Sequence, residues 1–172
     1  GISQNVFLGK GYEEAYVSYR VRFGEGFDTQ ATGKMPGFVT WDNLCPPCAP
    51  TDCRDAQGNS CSPAQGNCDG AADDFTLKHS WQPDGTLAYY SYHADKTLPC
   101  GEVRQVLDSD IFDGNWHLVT LFVKMNAVDS HDGVARTWID GVERNAWNGI
   151  MFRTGKRNFA IETFWLSAYF GG

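Results

Sequence analysis

Nowhere is the chain apolar for the roughly 20 residues that a membrane-spanning helix needs. Long runs of Ala, Leu, Glu and Lys are missing too, and with them any strong helix, repeat or linker. Basic residues are in short supply. Fourteen Lys and Arg face 21 Asp and Glu, a net charge of −7. A nucleic-acid-binding domain shows the opposite balance. The start, Gly1-Ile2-Ser3-Gln4-Asn5, lacks the basic residues and apolar centre of a signal peptide, so a mature or trimmed chain is expected. Asn43-Leu44-Cys45 and Asn59-Ser60-Cys61 are not standard glycosylation sequons, and glycans say nothing about compartment.

Catalytic signatures are missing as well. There is no GxSxG elbow, no phosphate loop and no HExxH helix. The glutamates form no obvious pair of the kind that glycoside hydrolases use, and only Glu162, in a late strand, is placed like a catalytic acid. Asp69, Asp73 and Asp74 lack the spacing of a calcium loop. No metal and no cofactor is expected.

What is present is aromatic and turn-rich. Aromatics make up 14% of the 172 residues, and 19 are glycine. That composition favours one all-β domain over residues 1–172, large enough to bury a core. Ala15 to Phe23 alternates, with Val17, Tyr19, Val21 and Phe23 on one face and Tyr16, Ser18, Arg20 and Arg22 on the other. Gly37 to Trp41 reads as a short strand. Trp116 to Met125 is apolar on both faces and is expected deep in the structure. Val134 to Asp140 ends on the turn signal Asp140-Gly141, and Asn158 to Phe170 holds one or two strands. Gly9-Lys10-Gly11 and Gly24-Glu25-Gly26 read as loops.

Five of the six cysteines, Cys45, Cys48, Cys53, Cys61 and Cys68, crowd into a polar, turn-rich segment spanning about residues 42–74; the sixth is Cys100. Such a segment cannot build its own core, and disulfides would hold it at low entropic cost. If all six pair, one clustered cysteine reaches Cys100. The rival readings are a redox Cys45-Pro46-Pro47-Cys48 without its βαβ surroundings and a zinc site without a second CxxC or His pair. Disulfides imply a secreted protein, expected to be a monomer.

Two neighbouring segments carry the chemistry. In Phe75 to Trp81, alternation sends Thr76, Lys78 and Ser80 to one face and Phe75, Leu77 and Trp81 to the other. In Leu87 to His93, Tyr90 and Tyr92 share a face, and Gln82-Pro83-Asp84-Gly85-Thr86 between the segments reads as a hairpin turn. A cation, hydroxyls and two phenols on one rigid surface suit an acidic sugar. The plain alternative is a solvated outer face. His79 and His93 fall on the opposite side and read as packing groups.

At this point the chain resembles polysaccharide lyase family fourteen, which includes alginate lyases of molluscs and alginate- or glucuronan-cleaving lyases of algal viruses. Gly33-Lys34-Met35-Pro36-Gly37-Phe38 is similar to the family's glycine–lysine–leucine–proline–glycine signature. Phe75 to Trp81 is similar to its phenylalanine–serine–x–arginine–x–x–tryptophan strand, and Leu87 to His93 to its tyrosine–x–tyrosine strand. Gly114-Asn115-Trp116-His117, Asp132-Gly133, Trp138-Ile139-Asp140-Gly141, Phe152-Arg153 and the Phe-Gly-Gly ending recur in the same order. The resemblance covers about residues 15–172. It implies a β-jelly roll of two antiparallel sheets with substrate in a concave groove. It also implies that Lys34 is the family's essential lysine, that Lys78 stands where an arginine is usual and Thr76 where a serine is usual, and that Tyr90 and Tyr92 are its two tyrosines. Family members often continue past the Gly-Gly with a further strand.

The expected activity is eliminative cleavage of a β-1,4-linked uronan such as alginate or glucuronan, with an acidic polysaccharide as partner. Removal of the C5 proton builds enolate-like charge beside the carboxylate, which a cation stabilises; a base takes the proton and an acid protonates O4. Lys34, Lys78, Tyr90 and Tyr92 are the expected catalytic residues, with Thr76, Ser80, Arg20 and Arg22 binding substrate. Two lysines are expected to lower a phenol's pKa, and Lys34 would itself serve as base if burial depresses its own. A non-catalytic carbohydrate-binding domain and a glycoside hydrolase using Glu162 are the alternatives.

Overall fold

The computed structural model describes residues 1–40, 75–97, 101–107, 110–156 and 158–170. The cysteine-rich segment, all six cysteines, and Asp69, Asp73 and Asp74 lie outside the described residues.

Ten strands follow in chain order: β1 (Ile2–Tyr12), β2 (Glu14–Val21), β3 (Gly33–Val39), β4 (Thr76–Trp81), β5 (Leu87–Tyr92), β6 (Glu102–Leu107), β7 (His117–Lys124), β8 (Gly133–Ile139), β9 (Val142–Ile150) and β10 (Ile161–Phe170). No described residue is helical. They form two antiparallel sheets, ordered β1-β10-β3-β4-β5-β6 and β2-β7-β8-β9, which pack as a β-jelly roll.

The core lies between the sheets. β4 and β5 turn Leu77, Trp81, Leu87 and Tyr89 inward, β3 adds Met35 and Phe38, and β7 faces them with Val119, Leu121 and Val123, all buried. A polar chain crosses this core. His79 on β4 hydrogen-bonds the Tyr19 hydroxyl through Nδ1 at 3.0 Å and the Thr137 hydroxyl through Nε2 at 2.8 Å; Thr137 donates to the Tyr89 hydroxyl at 2.9 Å. Burial lowers the His79 pKa to about 4, so the ring is neutral with one nitrogen donating and the other accepting. The histidine is thus a cross-sheet strut, consistent with its expected packing role.

Several turns follow the sequence. Asp140 and Gly141 both have positive φ and close the two-residue β8–β9 hairpin. Gln82 to Thr86 joins β4 to β5, with Gly85 at φ +79. Other expectations change. Gly9-Lys10-Gly11 is no loop but an irregular stretch of β1, where the register to β10 shifts between Phe7 and Tyr12. β3 starts four residues earlier than the alternation signalled and takes in Lys34. β7 is buried on one face only: Trp116, just before it, is 61% exposed, and Leu118, Thr120 and Phe122 face outward. No described element forms a second layer outside the four-stranded sheet, and the apolar residues there pack on one another.

Candidate active site

The site builds from three rows of directly paired residues across the outer face of the six-stranded sheet. Paired residues in antiparallel strands share a face. One row is Thr163, Val39, Thr76 and Tyr92; the next is Trp165, Gly37, Lys78 and Tyr90; the third is Tyr169, Lys34, Ser80 and Ala88. The alternation expected for Thr76, Lys78, Ser80, Tyr90 and Tyr92 is the one observed.

Lys34 joins that face through an irregularity. Lys34 and Gly37 are three apart and a regular strand would send them to opposite faces. The register shifts on both sides of β3 between them, against β4 and against β10. Pro36 lies inside the shift, where a residue without an N–H is tolerated. Gly37 completes the arrangement. A Cβ there would come within 2.2 Å of the Leu77 carbonyl oxygen and 2.7 Å of Lys78 Cγ. With no side chain between them, Lys78 on one neighbouring strand reaches Trp165 on the other.

Both lysines are buried, Lys34 with 3% and Lys78 with 2% of its surface exposed. Lys34 Nζ lies 3.8 Å from the centroid of the Tyr90 ring; Lys78 Nζ lies 3.5 Å from the Trp165 ring and 5.5 Å from that of Tyr169. These are cation–π contacts. Among the described residues neither lysine makes an ion pair. Burial pushes the Lys34 pKa down to about 8. Burial, reinforced by the charge of Lys34, pushes that of Lys78 down to about 7.

The two phenols meet, Tyr90 Oη to Tyr92 Oη, at 3.2 Å. Gly101 accommodates them: a Cβ there would sit 2.5 Å from Tyr90 Cζ and 2.7 Å from Tyr92 Cε2. The Tyr90 pKa is raised by burial first and by the Tyr92 hydroxyl second. This corrects the expectation that two lysines would favour phenolate. Lys34 lies over the ring rather than at the hydroxyl, and desolvation outweighs its charge.

The remaining expected residues divide. Thr76 and Ser80 lie on the site face and are buried, and Ser80 Oγ accepts a hydrogen bond from Gln82 Nε2 at 2.8 Å. Arg20 and Arg22 do not join them. They are exposed residues of β2 and its exit, in the other sheet, and Arg22 Nε donates to the Gly114 carbonyl at 2.7 Å. Strand alternation places them with Tyr16 and Ser18 on that sheet's outer side. Glu162 alternates with Thr163 and Trp165 and falls on the opposite face of β10. The sequence reading missed Trp165 and Tyr169. The period-two series Thr163, Trp165, Ser167, Tyr169 was the signal available for them.

No curated protein matches the chain by sequence. Among solved structures, alginate lyase Aly36B superposes with a TM-score of 0.70 at 21% identity, over 99% of this chain and 64% of that one. The PL-14 alginate lyase of Aplysia kurodai gives 0.66 at 19% identity, over 93% and 61%. The endo-β-1,4-glucuronan lyase of the fungus Trichoderma reesei gives 0.59 at 16% identity, over 97% and 62%. These likenesses establish the fold; the chain spans less than two thirds of the length of each of these three proteins. The sequence itself matches Polysaccharide lyase 14 over residues 3–172, and the chain belongs to that family.

Proposed function

We propose that the protein is a lyase that cleaves a β-1,4-linked uronan, alginate or glucuronan, by β-elimination. One observation carries this reading: two buried ammonium groups, unpaired with any described carboxylate, stand beside two phenols on one sheet face. Buried charge without a partner is costly, and an anionic ligand supplies the partner. Variants of Aly36B bind alginate trisaccharide and tetrasaccharide on the same fold, which supports the substrate class.

In this reading the uronate carboxylate meets Lys78 and holds it protonated. Lys34, repelled by that charge and already lowered to about 8, then provides the neutral amine that takes the C5 proton. The tyrosine pair, with Tyr90 kept protonated by burial, donates to the departing O4. Trp165 and Tyr169 offer ring faces to the sugars. The test is incubation with a panel of uronans, read as absorbance at about 235 nm from the unsaturated uronate that elimination leaves. Product from at least one uronan is expected. Binding without product on every uronan would make the protein a carbohydrate-binding module instead. The cysteine cluster supports a secreted protein held by disulfides. Titration of thiols in denaturant is expected to find none; six free thiols would refute it.

A further inference from the structure

The outer side of the four-stranded sheet, which the active site does not use, carries an aromatic ladder. Tyr16 and Phe122 are directly paired, with ring centroids 4.4 Å apart and planes inclined by 30°. Trp138 lies on the adjoining strand, 6.2 Å from Tyr16 and inclined by 35°. Tyr16 is 66% exposed despite these contacts. The rings are tilted against one another, and Tyr16, stacked over Phe122 and beside Trp138, is the one that presents most of its surface to solvent.

Cations surround it. Arg136 is paired directly with Phe122, Lys124 lies two residues further along β7, and Arg20 lies four residues from Tyr16 on β2. Two acids share the face: Glu143 contacts Arg136 at 3.4 Å, and Glu14 is directly paired with Lys124, although Arg20 and Lys124 make no ion pair among the described residues. The hydroxyls of Ser18 and Thr120, 2.8 Å apart, lie in the row beside the rings. In a chain of net charge −7, Arg20, Lys124 and Arg136 still outnumber Glu14 and Glu143 on this aromatic face.

We propose that this face is a second binding site for the acidic polysaccharide, on the opposite side of the molecule from Lys34 and Lys78. The proposal rests on the reading of the protein as one that acts on uronans. The C–H face of a sugar lies on the Tyr16 ring, backed by Phe122 and Trp138, and carboxylates along the polymer meet Arg20, Lys124 and Arg136. The excess of cations over acids on this face complements a polyanion, and the sheet holds the rings in place before the chain arrives. Such a site keeps long polymer near the protein and does nothing for an oligosaccharide that fills only the active-site face.

The test compares wild type with a Tyr16→Ala/Trp138→Ala double variant, and with Tyr16→Ala alone in case the double variant does not fold. Each is run in native gels containing alginate or glucuronan, and assayed on polymer and on tetrasaccharide. The variants are expected to lose at least half of the gel retardation and to raise KM on polymer by about fivefold or more, the loss of one good contact. Their kcat/KM on tetrasaccharide should stay within about twofold of wild type. Tyr16→Phe, which keeps the ring, should behave as wild type. Unchanged retardation and polymer KM in a folded variant would overturn the proposal. So would an equal fall on polymer and tetrasaccharide, which marks damage to the fold. If wild type releases no unsaturated product, the lyase reading fails on its own, and gel retardation alone decides the second site.

Discussion

Among the described residues Lys34 and Lys78 meet ring faces and no carboxylate, which leaves their charge available to a ligand. Removing Lys34 therefore removes a functional group without orphaning any described acid. Lys34→Ala is expected to fold and to lower eliminative turnover at least about 100-fold, as loss of a positioned proton-transfer group does. Tyr92→Phe should do likewise if the phenol pair moves the second proton, since stacking survives and only the hydroxyl goes. Turnover intact in both would refute the assignment. The lysine pair also sets a pH profile. In the free protein the charged fraction of Lys78 falls as pH rises through about 7, while the neutral fraction of Lys34 rises through about 8. Their product is a bell in kcat/KM with its maximum between these values. Lys78→Arg keeps a positive charge at all these pH values, so the decline above neutrality should vanish while the rising limb stays. A rising limb lost in Lys78→Arg would exchange the roles of the two lysines.

The strands hold these groups in place, and β3 does most of it. Gly37→Ala puts a methyl group against the backbone of β4 and the stem of Lys78. It is expected to cost about 1–3 kcal/mol of stability in urea unfolding and to reduce turnover by displacing Lys78 from Trp165. Gly85→Ala is the contrast: a Cβ there meets nothing within 4 Å, so only the cost of positive φ, about 1 kcal/mol, should appear, with turnover intact. The same scale shows what was legible beforehand. The site strands β4 and β5 alternate cleanly because one face packs in the core and the other builds the site. β1, β6 and β9 escaped notice, and all three are sheet edges. An edge strand bonds on one side and buries little, so its sequence is loosely constrained, as in the nearly all-exposed β1. The irregularity that turns Lys34 toward Lys78 was invisible for a related reason. It is a property of pairing with two neighbours, and no period within β3 encodes it; only the family signature pointed to Lys34.

For the whole molecule, the buried chain Tyr19–His79–Thr137–Tyr89 ties the two sheets together and links stability to pH. The His79 pKa is depressed in the fold, to about 4 from an ordinary 6.5. The unfolded chain therefore binds the extra proton first as pH falls. The contribution is complete above about pH 6.5 and is lost progressively down to about pH 4, by roughly 3 kcal/mol in all. Urea midpoints measured across that window should fall with pH in wild type. In His79→Gln they should start lower and fall less steeply, because no ring is left to protonate; equal slopes would refute the link. β3 and β4 are neighbours, and the Thr40 N–H donates to the Phe75 carbonyl at 2.9 Å, so Thr40 and Phe75, far apart in sequence, lie side by side. Closing that connection costs more chain entropy than closing Gln82 to Thr86 or the two-residue turn at Asp140-Gly141. The β4–β5 and β8–β9 hairpins can therefore form early, while the junction of β3 with β4 waits. The two lysines sit on opposite sides of that junction. The lysine pair is thus assembled among the last contacts made, and recovery of activity during refolding should trail recovery of strand structure.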